Sequence, residues 1–182
     1  MSTDMARSMW SGSISFGLVN VPVKLFTAAR SKDIAFNQLH ATDGARIQMR
    51  RVCSEDGQEV AYGDIVKGYE VSPDRYVVIT PEELDALAPE VTKGIDIEEF
   101  VDLADIDPVY YENSYYLTPD KGGAKAYALL HQAMQEAGKV AIGRVVLRSK
   151  QYVVALRAAG EALCLSTLYF SDEVLDAESV ES

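Results

Sequence analysis

Cysteine is nearly absent: Cys53 and Cys164 are the two in 182 residues, and no Cys-x-x-Cys spacing exists. That excludes a disulfide framework and fits a reduced, cytoplasmic compartment. Histidine is as scarce. His131 sits beside the apolar face of a helix, and His40 ends a short apolar segment; both read as packing or surface residues. No apolar run approaches the length of a membrane span. The N-terminus, Met1 to Arg7, carries no hydrophobic export segment. There is no Gly-x-Gly-x-x-Gly or Gly-Lys-Ser/Thr phosphate loop, and Gly122-Gly123 reads as a helix start. There is no Gly-x-Ser-x-Gly elbow. Glu82-Glu83 and Glu98-Glu99 read as a capping box and a strand face. Cys53 beside Arg51 has no base or second ligand near it in sequence and reads as a small packed residue. With no constellation for nucleophilic, metal or acid/base work, the chain reads as a non-enzyme without cofactor or metal.

Basic charge is short overall, 17 Lys and Arg against 28 Asp and Glu, for a net −11. Taken whole, that argues against a polyanionic partner. The distribution argues otherwise. Residues 20–52 hold six basic residues and two acidic; residues 139–157 hold five basic and none acidic. Residues 70–120 hold fourteen acidic and two basic, and 158–182 only acidic ones. The bland account is a set of solvated faces that average out in space; the sharper one is a basic surface opposite an acidic surface.

What is present begins with Trp10 to Phe26. Apolar residues alternate at Trp10, Ile14, Phe16 and Leu18, then again at Val19, Val21, Val23 and Leu25 in the opposite phase. One straight strand cannot carry both phases. Gly17 and Pro22 mark a bend, so the stretch is expected to be one strand that bends at Gly17, changes neighbours and leaves the domain body through Pro22 and Lys24. On that reading a Gly17 substitution disturbs the direction of the downstream chain more than loss of a single cation such as Arg46. Residues 27–62 then hold two Asp-Gly turns and few core-forming residues, an excursion between robust strands.

Beyond it, Asp64–Val71 reads as a strand and Tyr76–Thr80 as a short buried one. A helix starts at Thr80 with Pro81 and Glu83 and ends before Pro89. Lys93–Val101 alternates with an acidic outer face, and Val109–Pro119 brings four tyrosines. Ala124–Ala137 is a helix closed by Gly138. Three strands in a meander come next, Val140–Arg148, Tyr152–Arg157 and Ala162–Phe170. No internal repeat and no low-complexity segment is evident. The pattern points to an all-β barrel or an α+β domain. Arg46, Arg50 and Arg51 on the excursion, with Lys24, Arg30 and Lys32 leading into it, suit a phosphate backbone. No aromatic interleaves them and no recognition helix is present, so contact without sequence readout is the consistent combination.

The stretch Trp10-Ser11-Gly12-Ser13-Ile14-Ser15-Phe16-Gly17-Leu18-Val19-Asn20-Val21-Pro22-Val23-Lys24 resembles the N-terminal signature of bacterial Ku proteins. The likeness continues in Ile34–His40, Arg50–Cys53, Gly63–Glu70, Ile106–Tyr111, Tyr115–Gly123 and Ala126–Leu130, from about Arg7 to Val174. The resemblance implies a mainly β fold with α (α+β): a Ku-type β-barrel core with a strand or hairpin bridge arm and two or more helices. It implies one domain over 1–182, with 7–26 and 63–174 as barrel body, 27–62 as bridge arm and 175–182 as a frayed acidic tail. It further implies a homodimeric ring on double-stranded DNA ends and recruitment of an ATP-dependent DNA ligase in non-homologous end joining. It also implies a cytoplasmic, nucleoid-associated place, with no membrane partner. Arg30, Lys32, Arg46, Arg50 and Arg51 then face DNA, with Lys24 and Lys67 at the arm's root. Some members carry Cys-x-x-Cys in the arm; here Ser54-Glu55-Asp56-Gly57 comes after Cys53, so no metal is expected. Members usually continue past this point, so the chain is expected to be a C-terminally short form. Composition alone would favour a β-barrel protein-interaction module using the acidic, tyrosine-rich face without DNA; the order of the signature reverses that.

Overall fold

Trp10–Phe16 (β1) and Val19–Thr27 (β2) are two strands of one hairpin, not a single bent strand. Phe16 pairs with Val19 across a two-residue loop, Gly17-Leu18, and Ile14 pairs with Val21. Partners across an antiparallel pair share a face. With a two-residue loop, even positions of β1 therefore face odd positions of β2, which is the phase slip seen in the sequence. Gly17 supplies the positive φ of 56° at the first loop position, where a II′ hairpin turn takes glycine. Nor does the chain leave at Pro22. β2 runs on to Thr27, pairing Val23 to Thr27 with the strand Tyr111–Pro119.

The computed structural model describes residues 7–87 and 93–177. In chain order the further elements are β3 (Lys67–Ser72), β4 (Arg75–Ile79), α1 (Pro81–Leu87), β5 (Gly94–Asp102), β6 (Tyr111–Pro119), α2 (Ala124–Ala137), β7 (Lys139–Leu147), β8 (Lys150–Ala159) and β9 (Ala162–Leu168). Seven of the described strands close a barrel in the order β1-β2-β6-β9-β8-β7-β5. The closing pair, β1 with β5, is parallel; the rest are antiparallel. The mainly β class with two α-helices and the three-strand meander stand as the sequence indicated.

Alternation explains the barrel's filling. Ile14, Val21, Leu25, Leu117, Leu156 and Leu165 are all at or below 1% exposure and point inward. Each such side chain contributes about 1.5–3 kcal/mol by leaving water. Helix α2 lays Tyr127 and Met134 against the same core. The Tyr127 hydroxyl donates to the Leu117 carbonyl at 2.6 Å and accepts the Leu163 N–H at 2.8 Å, tying α2 to β6 and β9. The β5 register shifts between Ile97 and Glu99, and Gly143 of β7 lies opposite. A Cβ at Gly143 would collide with the Asp96 carbonyl oxygen, so glycine is required by the close approach of the two backbones. A second, smaller core of Val140, Ala155 and Leu168 lies apart from the first. Ile106, Tyr110 and Tyr111 from the segment before and into β6 pack against it.

The chain divides into two compact units, Met1–Arg30 with Pro89–Ser182, and Ser31–Ala88. Residues 63–87, expected in the barrel body, fall in the second unit, because β3 pairs with β4 alone as a separate two-stranded sheet. The strand expected to be buried, β4, is present but exposes Tyr76, Val77 and Val78, since no second layer of its own unit covers it. α1 opens as anticipated: the Thr80 N–H donates to Glu83 at 2.9 Å and the Glu83 N–H to the Thr80 hydroxyl at 3.2 Å. Its expected stop before Pro89 lies outside the described residues, as does the tail from residue 178.

Candidate nucleic-acid interface

Ahead of β3, residues 38–60 carry their structure in turns. The His40 N–H donates to the Ala45 carbonyl at 2.7 Å and the Gly44 N–H to the His40 carbonyl at 2.8 Å. From Cys53 onward the same pattern recurs: Cys53 N–H to Gln58 carbonyl and Gly57 N–H to Cys53 carbonyl, both at 2.8 Å. Asp43 accepts the Ala45 N–H and Asp56 the Gln58 N–H, as Asx turns do. Single bridges, Leu39 with Arg46 and Val52 with Glu59, flank the two turns. This duplication is hidden in the sequence because only the Asp-Gly pairs are shared; the side chains around them differ.

The turns place the cations of the Ser31–Ala88 unit. Arg46 donates to the Asn37 side-chain oxygen at 2.9 Å. Arg50 Nη1 meets Glu59 Oε2 at 2.9 Å, with both side chains largely exposed. The Arg51 guanidinium lies 5.3 Å from the centre of the Tyr62 ring, so an aromatic does accompany this cation, in space rather than in sequence. Lys32 precedes the turns and Lys67 opens β3; both are exposed and neither forms an ion pair among the described residues. These five stand in one unit. Lys24 and Arg30 belong to the other. Lys24 Nζ lies 3.1 Å from Asp120 Oδ1. The Lys121 N–H and then the Lys24 ammonium hold the Asp120 carboxyl below its ordinary value.

The second basic stretch behaves differently. β5 and β7 pair so that Asp102 faces Lys139, whose Nζ is 2.7 Å from its carboxylate. Arg144 meets Glu98 at 3.0 Å and Lys150 meets Glu173 at 3.6 Å. Acidic and basic segments that are apart in sequence are thus neighbours in the barrel, and their charges offset. Averaging in space holds for Lys139, Arg144 and Lys150. In Ser31–Ala88, Arg50 has its carboxylate partner on the next turn.

No residue of 31–86 is buried. Phe36 and Met49 expose 86% and 84% of their surface. Tyr62, Ile65, Val78, Ile79, Pro81 and Leu84 line an open apolar hollow of about 480 Å³ beside Lys67. Among the described residues no cluster of three or more His, Cys, Asp or Glu is placed to hold a metal. No described helix is long and apolar enough to cross a membrane.

Fold and site together define a closed β-barrel interrupted in sequence by an insertion that carries exposed cations and exposed apolar side chains. The family model of the Ku70/Ku80 beta-barrel domain matches residues 15–182, and the chain belongs to that family. It is 54% identical over 178 residues to the non-homologous end joining protein Ku of Anaeromyxobacter sp. (strain K), covering 97% of this chain and 60% of that protein. The protein of the same name from Koribacter versatilis is 47% identical, with 96% and 60% covered. That of Archaeoglobus fulgidus is also 47% identical, with 92% and 66% covered. The chain therefore spans between 60% and 66% of the length of these relatives.

Proposed function

We propose that this chain binds double-stranded DNA ends without sequence preference, as a homodimer, and serves non-homologous end joining by recruiting an ATP-dependent DNA ligase. It acts by binding and not by catalysis, in the cytoplasm at the nucleoid. The observation that carries the reading is the match, over nearly all of this chain, to relatives named for that process. Two features of the second unit support it. Its cations Lys32, Arg46, Arg50, Arg51 and Lys67, led into by Lys24 and Arg30, suit phosphates. Its apolar side chains have no cover of their own, and exposure on that scale marks an association surface. A second copy of the arm supplies such cover. Residues 27–62 act as the bridge.

The test is molecular mass in solution with and without a short blunt duplex, together with competition by linear and covalently closed circular DNA. Two chains per duplex, displaced by linear but not by closed circular DNA, is the expected result. Log affinity falls by roughly 0.9 per unit of log salt for each phosphate engaged. A monomer that ignores DNA, or equal competition by both forms, overturns the reading.

A further inference from the structure

The smaller core of the barrel unit leaves a cleft of about 530 Å³, within the range of ligand sites. Leu103, Ile106 and Pro108 form its apolar side, and Tyr111, Ser166 and Arg157 its polar side. Arg157 is half-buried on β8, directly opposite Cys164 of β9. It forms no ion pair among the described residues. A guanidinium partly withdrawn from water without a partner gains from any anion that pairs with it.

A second observation points the same way. The Tyr111 hydroxyl is buried and makes no hydrogen bond, the one such side-chain oxygen found among the described residues. Burial raises the Tyr111 phenol above its ordinary value, and Arg157 draws it back down. Ser166 is 3% exposed, and its hydroxyl is bonded to that of Ser114 at 2.9 Å, where either can donate. Buried polar groups are ordinarily satisfied, so an orphan phenol beside an unpaired guanidinium is an unfilled set of donors.

We infer that this cleft binds the carboxy-terminal carboxylate of a peptide ending in an apolar residue. The guanidinium fork takes the carboxylate, as its planar geometry allows, and the Tyr111 hydroxyl donates to it. The terminal side chain lies against Leu103, Ile106 and Pro108. A C-terminal residue carries carboxylate and side chain on one Cα, which fits a site with one cation next to one apolar wall. A phosphate dianion fits poorly, because Arg157 is the one cation lining the cleft. The surrounding segment carries Asp102, Asp105, Asp107 and Glu112, all exposed, and Lys139 answers only Asp102. That charge favours basic residues upstream of the peptide's end. The site lies wholly in the barrel unit and does not depend on the DNA reading.

The experiment is fluorescence anisotropy on the full chain, with a labelled Lys-Lys-Ser-Ala-Leu peptide carrying either a free carboxylate or a C-terminal amide. The acid form binds at least tenfold more tightly than the amide. Arg157→Gln brings the acid down to the amide's affinity, and Tyr111→Phe weakens it several-fold. N-acetyl-leucine competes only at far higher concentration than the peptide. Acid and amide within twofold of each other on the unmodified chain, or no saturable binding of the acid, overturns the proposal. So does N-acetyl-leucine binding as tightly as the peptide, which would make a small carboxylate the occupant.

Discussion

Arg50 and Glu59 hold each other across the second turn of the Ser31–Ala88 unit, Nη1 to Oε2 at 2.9 Å, with about 68% and 57% of their side chains exposed. An exposed pair of this kind is worth only about 0–1 kcal/mol. A DNA phosphate can therefore take Arg50 from Glu59 at little cost. Glu59→Gln should tighten binding to a blunt duplex a few-fold. Arg50→Ala should weaken it and reduce the salt slope by about 0.9, the share of one phosphate. Anisotropy titrations across a salt series read both effects. Unchanged slopes in the Arg50 variant would remove Arg50 from the interface.

Gly17 belongs to a barrel hairpin, not to the launch of the arm, and this reverses an expectation drawn from the sequence. Gly17→Val places a β-branched residue at a φ of 56°, at a cost of roughly 1–2 kcal/mol. Thermal melting should fall by several degrees, while the folded variant binds DNA ends normally. Arg46→Ala should do the opposite, leaving the melt alone and weakening DNA binding. A Gly17 variant with full stability and poor binding would restore the bent-strand reading.

Tyr127→Phe keeps the ring in the barrel core but leaves the Leu163 N–H without its acceptor and the Leu117 carbonyl without its donor. The expected loss is about 1–3 kcal/mol, read by urea denaturation. Burial raises the Tyr127 phenol above its ordinary 10.0, with the Leu163 N–H pulling the other way. A raised folded-state value means that this tyrosine's contribution is intact below pH 10 and is lost as pH rises through the folded value. The variant should therefore lose less stability than the parent above pH 10.

Asp120 sits below its ordinary 3.8 in the folded chain. A lowered value has the opposite sign: stability is present above pH 3.8 and is lost as pH falls through the folded value. Asp120→Asn should melt below the parent at pH 7, and the two melts should converge as pH drops below 3.8. A gap that persists in strong acid would show that shape, not charge, matters at this corner.

The barrel's elements are largely legible because alternation, short links and caps are local signals. The meander β7–β9, the Thr80–Glu83 capping box and the Gly138 end of α2 all depend on neighbours in sequence. At Gly17 only the phase inversion is legible, since a two-residue hairpin loop and a bend both produce it and only the pairing separates the two. Exposure of β4 cannot be read, because Tyr76 to Ile79 has the composition of a covered strand. Of the site, the cations are visible but their partners are not. Arg50 finds Glu59 and Arg51 finds Tyr62 only once the second turn closes. The Tyr111–Arg157 cleft leaves no sequence signal, since β6 and β8 meet there only through β9.

β2 and β5, the strands from which the second unit departs and to which it returns, flank β1 on its two sides. Because β1 runs antiparallel to β2 and parallel to β5, the end of β2 and the start of β5 lie toward the same end of the barrel. The chain therefore leaves the barrel from one neighbour of β1 and returns to its other neighbour toward the same end. Lengthening such a loop tenfold costs only about 2 kcal/mol in closure entropy. The seven strands can thus be inherited as one vessel while the passenger between them varies in length at little closure cost.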